Sequence, residues 1–286
     1  MFYFYLIASA ALIPILDIFF DILQKGYSWW LVPVLFIGFF LGFILLHAAV
    51  LFFSVKPIKV DGVNGKVSRY YRGLINSTVS VLVKLLRITV NSTGEDKVPE
   101  DGRFLLVCNH LDNIDPAVII HTFPNQELAF VGKDEILVKM PFVAKAMYAL
   151  NSLFLNRDND REAAKTIINA IKLVKEDKVS IAIFPEGYTS KTQKLLPMRN
   201  GAFKIATKAG VPIVICTVLG TPQTVKHLFI KHSDIYFDVV DVIPAERVAQ
   251  MDTTAIGEYV TEVMQKNLDK RRAEHPEYAC IEDAEN

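Results

Sequence analysis

Residues 103–116 read RFLLVCNHLDNIDP, and their character changes abruptly from apolar to polar. The first part is an apolar run of the kind that forms a buried strand. The run ends beside His110, and Asp115 follows five residues later. A carboxylate on one nitrogen of an imidazole fixes the tautomer, so the other nitrogen can accept a proton from a hydroxyl group. The stretch therefore predicts a strand that delivers a base and its orienting acid, although Asp115 with Pro116 is also a usual helix start.

Further along the chain, strand-like and helix-like patterns alternate. Apolar runs rich in Val, Ile and Phe predict strands, and the periodic runs between them predict helices. This alternation is typical of an α/β fold, in which helices cover both faces of a sheet. We predict a mixed sheet flanked by helices over residues 91–286, with an N-terminal membrane-associated helical segment. The strand candidates are residues 103–108, 127–131, 153–156, 179–184, 211–219 and 235–242; the helix candidates are residues 116–121, 135–148, 161–175, 201–208 and 254–271.

Residues 1–55 are predicted to anchor the chain in a membrane. Residues 31–53 contain no Asp, Glu, Lys or Arg. A helix of that length would extend about 35 Å, which is enough to cross a hydrocarbon core of ~30 Å. Residues 2–23 form a weaker span, because Asp17 and Asp21 lie one helical turn apart near its end. The two segments could form a hairpin, or the first could lie shallowly in one leaflet.

Residues 56–90 are strongly basic, with seven Lys or Arg residues and one acid. Basic residues directly after a spanning helix mark the cytoplasmic side and attract anionic lipids. Residues 66–89 have helical periodicity, with an apolar stripe and with Arg69 and Arg72 away from it. Such a helix either packs on a protein core or lies among lipid headgroups. We assign residues 56–90 as a basic amphipathic interfacial helix, and we expect a bacterial plasma membrane with the site on the cytoplasmic face.

Charge and cysteine content argue against several other kinds of protein. The net charge is zero, which argues against a general nucleic-acid binder. The three cysteines have no paired spacing, and Cys108 and Cys216 lie in apolar runs, where a cysteine is usually a small buried hydrophobic residue. His110 and His121 lack the four-residue spacing of a helical zinc site, so no metal site is predicted.

Charged side chains also follow three other strand candidates, namely Lys133, Arg157 and Glu186. Any one of them alone would be an ordinary solvated loop charge. The carboxyl ends of the strands in an α/β sheet are where such sheets build their sites. Gly187, directly after Glu186, would let the backbone approach a ligand closely. Together these positions predict a site that combines the His110 base with cationic and acidic side chains.

Five short motifs occur in an order that resembles the glycerolipid acyltransferase family, in particular its 1-acyl-sn-glycerol-3-phosphate (lysophosphatidate) acyltransferases. The resemblance covers about residues 90–245 and implies that residues 91–286 form an acyltransferase domain. The lipid-facing N-terminus supports it independently, because the acceptor of these enzymes lies in a bilayer. The motifs are Asn109-His110 with Asp115, Lys133 with Glu135, Phe154 with Arg157, Phe184-Pro185-Glu186-Gly187, and Val211-Pro212-Ile213.

The resemblance implies a reaction and its participants. His110 is the expected general base for the free hydroxyl of a lysophospholipid, and Asp115 is expected to orient it. The acceptor oxygen would attack an acyl thioester directly, with acyl-CoA or acyl carrier protein as the donor and no further cofactor. With 1-acyl-sn-glycerol 3-phosphate as the acceptor, the product would be phosphatidic acid. Membrane lipids are thus expected partners, and nucleic acids are not.

The same resemblance implies roles for the other strand ends. Lys133 and Arg157 are expected to hold the acceptor phosphate, since paired cations bind phosphate well. Glu186 and Gly187 are expected to shape the acceptor pocket. No nucleophilic serine or cysteine is required, because the acyl group would not become attached to the protein.

Two positions depart from the family pattern, both on the acceptor side. The family usually continues Glu-Gly-Thr-Arg-Ser, whereas residues 186–190 read EGYTS, so Thr189 stands where an arginine is expected. Arg199 is a candidate substitute. Asp112 stands where the family often has serine, and an additional acid would disfavour an anionic acceptor. The alternatives are therefore a different lysophospholipid or other acceptor, or a non-catalytic membrane-binding relative.

Overall fold

The computed structural model describes residues 1–20, 30–227 and 230–280, and in that part of the chain seven strands form one sheet. The strands are β1 (Ile88–Thr93), β2 (Leu105–Cys108), β3 (Leu128–Lys133), β4 (Leu153–Leu155), β5 (Ser180–Ile183), β6 (Ile213–Leu219) and β7 (Ser233–Ile243). The helices are α1 (Phe2–Phe20), α2 (Leu31–Val55), α3 (Arg69–Leu85), α4 (Asp115–Thr122), α5 (Glu135–Lys139), α6 (Pro141–Ala149), α7 (Asp160–Lys175), α8 (Lys204–Ala209), α9 (Thr221–His227), α10 (Ala245–Val248) and α11 (Thr253–Glu274).

The sheet is mixed, as the sequence predicts. The strand order is β1-β7-β6-β2-β5-β3-β4. Strands β2 to β6 run parallel to one another, whereas β7 is antiparallel to β6 and β1 runs parallel to β7. The carboxyl ends of β2, β3, β4 and β5 consequently lie at one edge of the sheet, which we call the carboxyl edge.

Two hydrophobic cores cover the two faces of the sheet. Strand β2 contributes to both, because successive side chains of a strand point to opposite faces. Leu106 and Cys108 belong to the core that includes residues of α3 and α4. Leu105 and Val107 belong to the core that includes residues of α7, α8 and α11. All four side chains are fully buried, as an apolar strand without alternation requires.

Two predicted helices differ from those in the structure. The helix predicted over residues 66–89 ends at Leu85, and Arg87 adopts a left-handed backbone conformation with φ of 55°. Residues 88–93 then form β1, an edge strand that has no counterpart among the predicted strands and that extends past the boundary placed at residue 90. The helix predicted over residues 135–148 is broken at Met140, because Pro141 has no N–H group to continue the helical hydrogen bonds.

Arg72 was predicted to lie away from the packed face of α3, and the structure corrects this. Its Nη1 donates a hydrogen bond to the Leu128 carbonyl at 2.7 Å, and its Nη2 lies 3.3 Å from a carboxylate oxygen of Glu127. The guanidinium group pairs with polar atoms at the start of β3, so the charge can be buried. The apolar residues buried on α3 include Ile75 and Val79, so one face of the helix packs against the core. Contact of its other face with lipid headgroups stays a prediction.

The apolar N-terminal helices are joined to α3 by polar side chains. Helix α2 is long and apolar enough to cross a membrane. Within it, His47 contacts the Tyr5 hydroxyl of α1 through Nδ1 at 2.5 Å and the Thr78 hydroxyl of α3 through Nε2 at 2.9 Å. These contacts connect both N-terminal helices to the sheet domain. The end of the weaker predicted span, including Asp21, lies outside the described residues.

We expect the substitution Arg72→Met to destabilise the folded protein by about 2 kcal/mol, because it leaves the Leu128 carbonyl and Glu127 without their partner. The thermal midpoint measured in detergent should therefore fall by about 4–8 °C. Arg69 is exposed on the same helix and supplies the control. Arg69→Met should leave the midpoint nearly unchanged, and equal midpoints for the two variants would contradict the buried placement of Arg72.

Candidate active site

Four titratable side chains lie at the carboxyl edge, each at or just after the end of a strand. His110 follows β2, Lys133 is the last residue of β3, Arg157 follows β4, and Glu186 follows β5. The sequence predicts this meeting, because parallel strands end at the same edge of the sheet. The roles assigned to the individual residues stay predictions until they are tested on the protein.

His110 and Asp115 are in direct contact. Nδ1 of His110 lies 2.7 Å from Oδ2 of Asp115. The Asp115 side chain is fully buried, whereas the His110 side chain is 13% exposed. Among the described residues, the other ring nitrogen, Nε2, has no hydrogen-bond partner. An imidazole whose Nδ1–H donates to a carboxylate has an unprotonated Nε2, and that atom is free to accept a proton.

The loop between β2 and α4 is organised around the same carboxylate oxygen. Oδ2 of Asp115 also accepts hydrogen bonds from the backbone N–H groups of Leu111 at 2.7 Å and Asp112 at 2.9 Å. The Asp112 side chain in turn accepts a hydrogen bond from the N–H group of Ile114 at 3.1 Å. The acid at position 112 therefore closes a tight turn in this loop. Partial burial raises the pKa of Asp112, although the hydrogen bond from Ile114 opposes that shift.

Glu186 holds the backbone of His110 in place. Its two carboxylate oxygens accept hydrogen bonds from the N–H groups of His110 and Leu196, both at 2.7 Å. Burial raises the pKa of Glu186 to about 7, although both hydrogen bonds oppose that shift. The N–H group of Ser190 donates to the His110 carbonyl at 2.8 Å, so the loop after β5 holds both backbone groups of this residue. A direct contact of Glu186 with an acceptor stays a prediction.

Two further residues position His110, although no role was predicted for either of them. The ring of Phe184 stacks on the imidazole, with centroids 4.1 Å apart and planes 17° apart. The buried amide of Asn109 exchanges two hydrogen bonds with the backbone of Val218, at 2.9 Å and 2.7 Å. Asn109 thus fixes the end of β2 to β6. Their positions in the sequence could have indicated these roles, because Asn109 lies in the motif of His110 and Phe184 lies in the motif of Glu186.

The predicted phosphate-binding cations lie close together. Lys133 Nζ is 4.7 Å and Arg157 Cζ is 4.8 Å from the centre of the Tyr188 ring. Burial lowers the pKa of Lys133, and the nearby Arg157 lowers it further. One guanidinium nitrogen of Arg157, Nη1, is buried and has no hydrogen-bond partner among the described residues. A cavity of about 220 Å³ beside these side chains is lined by Gly132, Arg157, Phe184 and Gly187, among others.

The two cysteines in the strands are unsuited to catalysis. Cys108 and Cys216 are fully buried, as the sequence predicts, and burial raises the pKa of each thiol. A buried neutral thiol is a poor nucleophile. Within the described residues, no three or more His, Cys, Asp or Glu side chains are grouped so that they could hold a metal ion.

Comparisons with known proteins match the same region of the chain. A family model described as Acyltransferase matches residues 89–219. The 1-acyl-sn-glycerol-3-phosphate acyltransferase of Escherichia coli is 30% identical over 179 residues, which are 60% of this chain and 71% of the relative. The enzyme of the same name from Haemophilus influenzae is 26% identical over 178 residues, which are 61% of this chain and 73% of the relative.

A solved structure supports the fold. The crystal structure of the 1-acyl-sn-glycerophosphate acyltransferase from Thermotoga maritima superposes with a TM-score of 0.61 at 22% identity. The superposition covers 80% of this chain and 89% of that protein, so the likeness extends beyond the residues that the family model matches. The identity and coverage of the relatives, together with the match over the strands that carry the site, show that this chain belongs to the 1-acyl-sn-glycerol-3-phosphate acyltransferase family.

Proposed function

We propose that this acyltransferase moves a fatty acyl group from acyl-CoA or acyl carrier protein to the free hydroxyl of 1-acyl-sn-glycerol 3-phosphate, giving phosphatidic acid. The observation that carries the proposal is the 2.7 Å contact between His110 and the buried Asp115, which leaves Nε2 of the imidazole available. The names of the relatives support the acceptor, since they are described as acyltransferases of 1-acyl-sn-glycerol 3-phosphate.

The proposed reaction is a direct transfer of the acyl group from a thioester to an alcohol, which becomes an oxygen ester. Nε2 of His110 takes the proton of the acceptor hydroxyl while that oxygen bonds to the thioester carbonyl carbon. The Asp115 carboxylate stabilises the imidazolium that forms. The carbon–sulfur bond then breaks, and the departing thiolate takes the proton back from the imidazolium. His110 therefore ends in its starting state, and one thiol is released for each ester formed.

The same geometry supports direct transfer from donor to acceptor, without an acyl-enzyme intermediate. An acceptor hydroxyl activated by a base needs no covalent acyl-enzyme intermediate. Cys108 lies next to the motif residues, but its full burial and its raised pKa make it unsuitable as an acyl carrier. A thioester is the donor we propose because a thiolate is a good leaving group that the imidazolium can protonate. The choice between acyl-CoA and acyl carrier protein is left to the assay.

Acceptor binding is proposed to involve Lys133 and Arg157. Both cations lie at the carboxyl edge that carries His110, and both are partly buried. A phosphate group would supply oxygens for the buried and unpartnered Nη1 of Arg157. The adjoining cavity would give room for part of the acceptor, and Gly187 lines it together with Arg157.

The proposed location is the cytoplasmic face of a membrane. Helix α6 is fixed to the end of α2 by stacking of Phe52 on Phe142, with centroids 6.0 Å apart, and by a hydrogen bond of 2.5 Å from Lys145 to the Lys56 carbonyl. Helices α5 and α6 directly follow β3, which ends at Lys133. Val138, on α5, is 84% exposed, as suits contact with lipid. The basic segment after α2 supports the cytoplasmic side.

Thiol release from acyl-CoA, measured with purified protein in detergent micelles, tests the function. We expect release that depends on 1-acyl-sn-glycerol 3-phosphate and that exceeds release with other lysophospholipids. Base assistance contributes about 10² to 10⁴ in rate, so His110→Gln should lose that much of kcat. His232→Gln is the control, because His232 is exposed and its ring contacts Asp234, which has no part in the candidate site.

Three results would count against all or part of the proposal. Parent-like turnover by His110→Gln would exclude this residue as the base. No lysophosphatidate-dependent release with either acyl-CoA or acyl carrier protein donors, with parent protein that is folded, would favour a non-catalytic membrane-binding role. A strong preference for another lysophospholipid would keep the mechanism and change the acceptor.

Sealed membrane vesicles test the side of the membrane on which the site lies. Acyl-CoA is charged and does not cross a bilayer. We expect thiol release from inside-out vesicles without detergent, because their cytoplasmic face is outward. Right-side-out vesicles should release thiol only after detergent is added, and the opposite latency would contradict the cytoplasmic placement.

A further inference from the structure

Three cations of the candidate site surround one aromatic ring. The centre of the Tyr188 ring lies 4.7 Å from Lys133 Nζ, 4.8 Å from Arg157 Cζ and 5.3 Å from Arg199 Cζ. We call these three side chains the cation cluster. Within the described part of the chain, no carboxylate forms an ion pair with any of them. The Tyr188 side chain is 47% exposed, so the cluster is accessible from solvent.

Arg199 reaches the cluster because of the backbone around Gly187. The N–H group of Arg199 donates a hydrogen bond to the Pro185 carbonyl at 2.8 Å, which holds this residue beside the loop after β5. Its side chain then lies against Gly187, where a Cβ atom would be only 2.8 Å from Nε and 3.0 Å from Cδ. Gly187 also has a φ of 80°, which other residues rarely adopt. The glycine that was expected to shape the acceptor pocket thus makes room for Arg199.

The cluster is electrostatically incomplete. Three like charges this close repel one another. Burial lowers the pKa of Lys133 and of Arg157, and a neighbouring arginine lowers each further, although the nearby carboxylates of Glu135 and Asp134 act in the opposite direction. The negative face of an aromatic ring offsets part of that repulsion. It cannot accept a conventional hydrogen bond as an oxygen atom does, and Nη1 of Arg157 remains without a partner among the described residues. A ligand with several anionic oxygens would reduce the repulsion among the cations and would accept a hydrogen bond from Nη1 of Arg157.

We propose that Arg199 is the third cation of the acceptor-phosphate site, in place of the arginine that Thr189 replaces, and that the Tyr188 ring positions the three cations. This inference rests on the proposed function. The ligand class is a phosphate monoester, which carries a charge of about −1.5 to −2 and three terminal oxygens. A phosphodiester headgroup has one charge and two terminal oxygens, so three cations favour lysophosphatidate over other lysophospholipids.

The test compares two arginines that each lie over a tyrosine ring. Arg199→Met removes the cluster member, and Arg247→Met removes an arginine whose Cζ lies 4.4 Å from the Tyr259 ring. Arg247 follows the end of β7, which runs opposite to the other central strands, so it lies at the far edge of the sheet. Steady-state kinetics in mixed micelles would give kcat and separate KM values for lysophosphatidate and for acyl-CoA.

We expect Arg199→Met to raise the KM for lysophosphatidate at least about tenfold, as the loss of a charged hydrogen bond does. The kcat value should change less than about threefold, because His110 is untouched, and the KM for acyl-CoA should stay the same, because the cluster is proposed to bind the acceptor phosphate. Arg247→Met should resemble the parent protein in all three values. Arg199→Lys keeps the charge and should recover part of the lost affinity.

Tyr188 provides a second test that does not alter the charge of the cluster. Tyr188→Leu removes the ring and should raise the KM for lysophosphatidate clearly above that of Tyr188→Phe, which keeps the ring. The inference is overturned if Arg199→Met matches Arg247→Met, or if its KM rises for acyl-CoA instead of the acceptor. Absence of lysophosphatidate-dependent turnover in the parent protein is a different result, and it would overturn the proposed function together with this inference.

Discussion

Oδ2 of Asp115 is the atom on which the geometry of the site depends. It accepts hydrogen bonds from two backbone N–H groups of the preceding loop and lies 2.7 Å from Nδ1 of His110. Three donors on one buried oxygen fix the ring and the loop together, so the tautomer and the direction of the imidazole are set by the fold. A charge-assisted contact of this kind is stronger in a buried setting than in water.

The rest of the sheet domain keeps that contact in place. Glu186 and Ser190, from the loop after β5, bind the two backbone groups of His110, and Asn109 fixes the end of β2 to β6. Phe184 covers one face of the ring. His110 is therefore held from β5 and β6, the two strands that flank β2 in the middle of the sheet. Lys133 and Arg157 come from β3 and β4, which lie at one side of the sheet. The proposed proton transfer and acceptor binding thus take place at neighbouring but separate parts of the carboxyl edge.

The sequence predicted the parts of the structure that short-range patterns determine. Apolar runs gave the strands, and the meeting of His110, Lys133, Arg157 and Glu186 followed from parallel strand direction alone. Contacts between distant residues were not predictable in this way. The sequence predicts a solvent-facing Arg72, because its partners in the structure, the Leu128 carbonyl and Glu127, are distant in the chain. β1 is a short edge strand whose polar residues give little apolar signal, and its pairing with β7 joins residues far apart in the chain.

The Asp115 contact leaves Nε2 of a neutral His110 free to accept a proton. Nitrogen-15 NMR of protein labelled on its histidine side chains measures this directly, with the His110→Gln spectrum used to assign the ring. At a pH where the imidazole is neutral, we expect the Nδ1–H tautomer, with a proton on the nitrogen that faces Asp115 and none on Nε2. A spectrum showing the proton on Nε2 would contradict the account, because the atom assigned to accept the acceptor's proton would already carry one.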